Sequence, residues 1–335
     1  MRLAHAHVDS SKDHRHRRLG MRIGVALGAG GVIGASWIVG VLEALEGQTG
    51  FRAADADVLL GTSSGSLIGA LVAAAVPTAA MAAYASGESN EELAALAGHD
   101  ATAFALARIP VPFGPGSLRM VLSARNPAAA FAGLLPRGIV RTDAIRELVE
   151  RVIGPRWPGH GGLRIVACDY ATGRRVTFDG DGGLTATPGE AVAASCAIPA
   201  FYAPVRIGER RYIDGGLHSH SNLDLLRGDR LDAVICLNPM SSGAWVGGGG
   251  LRERMAASRR RRSAARLAGE VAALRADGTR VLVLEPAFAD LAAMGDNMMA
   301  RGRRIEVIEA ARASTERTLQ RIGRRRLGLV GLATS

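Results

Sequence analysis

Val58-Leu59-Leu60-Gly61-Thr62-Ser63-Ser64-Gly65-Ser66-Leu67-Ile68-Gly69-Ala70 is the stretch that decides how this chain reads. A short apolar run passes into Gly-x-Ser-x-Gly and then into helix formers. That order predicts a buried strand, a tight turn and a helix, the setting a nucleophile elbow requires. Side chains flanking so sharp a turn must be tiny, which explains Gly61 and Gly65. Ser63 alone has a glycine two positions away on both sides; Ser64 does not. Ser63 is therefore the candidate nucleophile, with its oxygen above the N-terminus of the following helix.

A second glycine loop lies about thirty residues upstream. Arg22 to Leu27 reads as a strand, Gly28-Ala29-Gly30-Gly31-Val32-Ile33-Gly34 as a loop, and the segment through Trp37, Val41, Leu42 and Leu45 as a helix. Backbone amides at a helix N-terminus hold anions, so a phosphate is one reading. The dinucleotide fingerprint fails, because counting from Gly28 puts Ile33 where the third glycine belongs. Asp55 and Asp57 precede the second strand rather than follow it, so no ribose-binding acid stands out. A Walker loop is excluded by the absence of Gly-Lys-Ser/Thr. The other reading is an oxyanion hole, in which the amides of Gly30 and Gly31 face the oxygen that turns negative when Ser63 attacks a carbonyl. Loss of one such donor typically costs about 3 kcal/mol of transition-state stabilisation.

A third motif supplies an acid. Arg211-Tyr212-Ile213-Asp214-Gly215-Gly216 reads as a strand ending in a carboxylate, with two glycines that let the chain turn sharply and approach another backbone. Asp214 is the candidate base for Ser63.

Together the loop Gly28 to Gly34, the Gly-Thr-Ser-Ser-Gly turn, Ala194-Ser195-Cys196-Ala197-Ile198-Pro199-Ala200-Phe201 and Asp214-Gly215-Gly216 resemble the patatin-like phospholipases. Order and spacing match over residues 22 to 228. The resemblance implies a three-layer α/β/α sandwich of patatin type with a mostly parallel central sheet. It implies a Ser–Asp dyad in which Ser63 is the nucleophile and Asp214 the base, with Gly30 and Gly31 as the oxyanion hole. It implies hydrolysis of acyl esters in lipids, with no cofactor. Two positions depart from the family pattern. Ile33 stands where a basic residue is frequent, and Ala29 where a further glycine is frequent, so selectivity for charged head groups is left open. A dyad needs an acid partly buried, with its pKa raised toward neutrality. A Ser-Asp-His triad with His218 or His220 is the rival, since Ser, Asp and His follow in a permitted order.

The rest of the chain frames this core. Strands alternating with helices argue for a parallel sheet covered on both faces. The 335 residues, 48% of them hydrophobic, suffice for a core without staples. Cys168, Cys196 and Cys236 are odd in number and far apart, which disfavours zinc and dithiol chemistry and fits a reducing, cytoplasmic location. No metal site is expected. Residues 1–20, basic and His-rich, read as a disordered tail without the apolar core of a signal peptide. Residues 21–228 read as the catalytic domain, with 76–140 as a helical, cap-like insertion. Residues 229–335 read as strands and arginine-rich helices packing on the same domain, with Gly247 to Gly250 a flexible loop. The apolar run from Ser66 to Ser86 is interrupted by Pro77, which argues for a broken buried helix rather than a membrane span. Thr142 to Ile153 predicts an amphipathic helix with Thr142 as N-cap. Asp169 reads as a turn cap.

The net charge of +10 comes almost wholly from arginine and favours anionic surfaces, including the inner face of a membrane. Nucleic acid is disfavoured, because no recognition motif or aromatic platform accompanies the charge. The expected function is a serine lipid acyl hydrolase. The alternatives are a non-catalytic lipid-binding protein on the same fold, or an acyltransferase.

Overall fold

The computed structural model describes residues 20–86, 115–124, 126–181, 183–243 and 250–332. The N-terminal tail, much of the 76–140 insertion and the Gly247–Gly250 loop fall wholly or largely outside these residues. The elements are β1 (Ile23–Leu27), α1 (Gly31–Thr49), β2 (Val58–Thr62), α2 (Ser64–Ala73), α3 (Thr78–Ser86), α4 (Leu118–Ser123), α5 (Pro127–Leu134) and α6 (Asp143–Ile153). There follow β3 (Leu163–Asp169), β4 (Arg175–Phe178), α7 (Pro188–Ser195), β5 (Val205–Ile207), β6 (Arg210–Asp214) and β7 (Ala233–Leu237). The chain closes with α8 (Leu251–Ala276), β8 (Arg280–Leu284), α9 (Phe288–Met294), α10 (Arg304–Ile322) and α11 (Arg324–Gly328).

Among the described residues eight strands form one sheet in the order β5-β6-β3-β2-β1-β7-β8, with β4 also paired to β3. Strands β3, β2, β1, β7 and β8 run parallel, with β8 at the edge. β1, β2, β3 and β7 are short apolar runs buried on both faces, as a covered parallel sheet demands, while β8 is only partly covered. Alternate side chains part into two cores. Val25, Leu27, Leu59, Ile165 and Ile235 pack with Trp37, Ile38 and Ile68 on one face. Ala26, Leu60, Val166, Val234 and Cys236 pack with Leu267, Val271 and Leu274 of α8 on the other. The result is an α/β/α sandwich with a mostly parallel sheet, its arginine-rich C-terminal helices laid on both layers.

The apolar run after β2 splits into α2 and α3 around Pro77, which cannot continue the first helix. Asp169 caps its turn, its Oδ1 accepting from the amides of Ala171 and Thr172. Thr142 does precede α6, but its hydroxyl makes no cap bond. The residue sits at φ −95 and ψ 18 rather than in the extended region that aims an N-cap oxygen at the first-turn amides. Instead α7 carries a full capping box, with Thr187 and Glu190 exchanging side-chain-to-amide bonds. No helix among the described residues is long and apolar enough to cross a membrane.

Candidate active site

The parallel strands β1 and β2 end level with each other, Leu27 opposite Gly61. The loop after β1 and the turn after β2 therefore lie side by side at the carboxyl edge of the sheet, where open α/β sheets place their sites. Ser63 occupies the turn with φ 53 and ψ −125, a left-handed conformation that a non-glycine residue adopts only under constraint from its surroundings. Gly65 shows the constraint: a Cβ there would collide with the Leu27 carbonyl. At Gly61 it would lie 2.5 Å from Ser66 Cα.

A hydroxyl relay fixes the turn. The Ser63 amide donates to Ser195 Oγ at 2.8 Å, and Ser195 Oγ donates to the Val166 carbonyl at 2.6 Å. Val166 is the partner of Thr62 in the β2–β3 ladder. Where β2 peels away from β3, the Ser195 hydroxyl fills the gap.

Asp214 arrives from the antiparallel strand β6. Its Oδ2 accepts from Ser63 Oγ at 2.7 Å, and its Oδ1 accepts from the Gly216 amide at 2.7 Å. Gly215 and Gly216 form the short 3-10 turn that brings this amide back over the carboxylate. Ser63 and Asp214 are only 4% and 5% exposed. Burial pushes the Asp214 pKa up to about 6, against the lowering effect of the bonds from Ser63 and Gly216.

The loop Gly28 to Gly34 borders both partners. A Cβ on Gly216 would sit 3.3 Å from Ala29 Cβ, and one on Gly34 would sit 3.7 Å from Ser64 Oγ. The Gly28 amide is used by the Leu237 carbonyl, that of Ala29 by His220 and that of Ile33 by Met298. The amides of Gly30 and Gly31 have no partner among the described residues. Gly31 has φ +62, which turns the loop into α1, and the helix N-terminus adds partial positive charge there. Ile33 is fully buried, so the position where a basic residue is frequent faces the core.

The two histidines turn to α8 instead. His218 Nδ1 lies 3.3 Å from the Arg266 guanidinium and His220 Nδ1 lies 2.9 Å from Ser263 Oγ. Neither bonds Ser63 or Asp214 among the described residues. Burial, reinforced by nearby arginines, lowers both histidine pKa values to about 4, so each is neutral at physiological pH. The three cysteines are free and buried, and burial pushes the Cys168 thiol up to about 12. No cluster of three metal-ligating side chains occurs among the described residues.

Two positioning groups have roles that the sequence reading does not assign. One is the Ser195 relay. The other is Asn222, fully buried at φ 52, whose Nδ2 donates to Thr62 Oγ1 at 3.0 Å and to the Ser219 carbonyl at 2.6 Å. Arg175 donates to its Oδ1 at 3.0 Å, which fixes the orientation of the amide.

A buried serine–carboxylate pair thus lies at the carboxyl edge of a mostly parallel sheet, flanked by loop amides that have no partner among the described residues. The model of the patatin-like phospholipase family matches residues 25–227, and the chain belongs to that family. Among solved structures, the chain is similar to VipD from Legionella pneumophila, with a TM-score of 0.45 and 14% identity, over 90% of this chain and 67% of that one.

Proposed function

We propose that the protein is a serine hydrolase that cleaves carboxylic esters of phospholipids or related acyl lipids through a Ser63–Asp214 dyad. The supporting observation is the 2.7 Å bond between two buried side chains, one of them a carboxylate held near neutrality. Ser63 Oγ attacks the acyl carbonyl carbon while Asp214 Oδ2 takes its proton. The oxygen that becomes negative is held by the amides of Gly30 and Gly31, which nothing else occupies among the described residues. Collapse of the tetrahedral intermediate expels the alcohol, which takes the proton from Asp214. Water, deprotonated by the same carboxylate, then releases the fatty acid and restores Ser63. A carboxylate with its pKa near the working pH suits both directions of proton transfer.

The test is release of chromophore from a short-chain p-nitrophenyl ester, with Ser63→Ala as control. The proposal expects turnover by the native protein and loss of about a thousandfold or more in the variant. Equal rates in both, or no turnover across a range of chain lengths, would favour a lipid-binding role on the same fold.

A further inference from the structure

Four strongly exposed large apolar side chains lie on one helix pair. Leu118 and Leu122 are one turn apart on α4, 62% and 86% exposed, and Phe131 and Leu134 lie on α5, 62% and 53% exposed. The pair is anchored by its other side. Met120 and Ala132 are buried against Cys168 and Ile213, with Leu217 packed alongside. Ile213 precedes Asp214 and Leu217 ends the turn after it, so the exposed face is built on the scaffold that carries the site.

The charge of this segment is one-sided. From Pro115 to Thr142 the sequence holds Arg119, Arg125, Arg137 and Arg141 and no acidic residue. Arg119, beside Leu118, and Arg137, after α5, are exposed. Arg141 is taken up by Asp143. An apolar patch rimmed by Arg119 and Arg137, which have no ion-pair partner among the described residues, fits a surface with an apolar interior under a layer of phosphates. It does not fit a second copy of itself, because a two-fold contact would set arginine against arginine.

We propose that α4 and α5 form the face by which the protein docks on an anionic lipid bilayer, with Leu118, Leu122, Phe131 and Leu134 entering the acyl boundary and Arg119 and Arg137 meeting head-group phosphates. Docking this way sets the Ser63–Asp214 site beside the membrane that holds its substrate, and in this it rests on the lipid hydrolase reading.

The experiment is co-flotation of the full chain with vesicles of phosphatidylcholine alone or mixed equally with phosphatidylglycerol. The native protein should float with the mixed vesicles and less with phosphatidylcholine alone. Leu122→Asp/Phe131→Asp should lower binding about tenfold or more, and Arg119→Glu should weaken it further at low salt than at high salt. Leu122→Ser, at the most exposed of the four positions, is a milder second variant that should lower binding severalfold. All should keep the native rate on a soluble short-chain ester. Failure of the native protein to float, variants that float like it, or a native dimer that the double variant splits into monomers would overturn the proposal. If flotation follows the expected pattern while no soluble ester is cleaved, docking stands and the hydrolase reading falls. The reverse pattern spares the hydrolase reading and removes the docking face.

Discussion

Thr62 and Asp214 sit end to end along one edge of β3, opposite Val166 and Ala167 respectively. The other edge of β3 is taken by β4, which pairs Ile165 through Cys168. The parallel strand β2 and the antiparallel strand β6 therefore share the remaining edge and meet at their C-terminal ends. The next residue after Thr62 is Ser63. Sheet register, rather than loop geometry, thus brings together two side chains 151 positions apart.

The first consequence is a pH dependence with a single limb. In the proposed dyad Asp214 must be ionised to take the proton, so kcat/KM on a soluble ester should rise as pH climbs through about 6 and then level off. His218→Ala and His220→Ala should retain most activity and leave the limb where it is, because both imidazoles are already neutral above about 4. A pH–rate profile of the three proteins checks this. A limb that vanishes or shifts in a histidine variant would favour the triad.

Burial of that carboxylate also costs stability. Its folded pKa of about 6 lies above the ordinary 3.8, so between these values the native state holds a proton that the unfolded chain has released. Stability should fall as pH rises across that window and stay lower above it. The penalty is on the order of 3 kcal/mol. Asp214→Asn should therefore be more stable than the native protein near neutrality, by about 2–3 kcal/mol, with the advantage gone near pH 4. Urea unfolding at the two pH values measures it.

Ser195 should act on the rate through position. Its removal leaves the Ser63 amide and the Val166 carbonyl unpaired in a buried place, at a cost of about 1–3 kcal/mol. Ser195→Ala should lower kcat about tenfold with KM little changed, since the nucleophile shifts while the acyl-binding surface does not. Ser195→Thr, which keeps the hydroxyl, should restore part of the rate. Steady-state kinetics of both variants separates this from a purely structural loss.

Two glycines of the same segment should behave oppositely. Gly65→Ala drives a methyl into the Leu27 backbone and should destabilise the fold by more than about 3 kcal/mol or prevent soluble expression. Gly69, inside α2, would meet only Leu27 Cδ1 at 3.5 Å and Leu163 Cδ1 at 3.7 Å. Gly69→Ala should be neutral or stabilising by up to about 1 kcal/mol. Thermal unfolding of the pair decides it.

How much of this was legible in the sequence follows the range of each interaction. The Gly-x-Ser-x-Gly turn, the Gly28–Gly34 loop and the Pro77 break are set by neighbours a few residues away, so local steric rules suffice to read them. The strands expected within residues 229–335, found as β7 and β8, are apolar runs readable for the same reason. The Ser195 relay was not: Ala194-Ser195-Cys196 reads only as part of a motif that carries the family resemblance, and only the parting of β2 from β3 gives the hydroxyl its two partners. Asn222 was missed because its left-handed backbone and its bond to Thr62 depend on where the Asp214 turn lands. The cap expected at Thr142 has the right residue in the wrong backbone conformation, which sequence does not report.

Labelling with a fluorophosphonate probe followed by peptide mapping addresses the central claim most directly. A serine whose proton is drawn by a buried carboxylate, with free amides to receive the oxyanion, should be phosphonylated selectively. The account predicts one adduct, on Ser63, abolished in Ser63→Ala and slowed about a hundredfold or more in Asp214→Asn. Absence of any adduct, or a dominant adduct on a different serine, would contradict it.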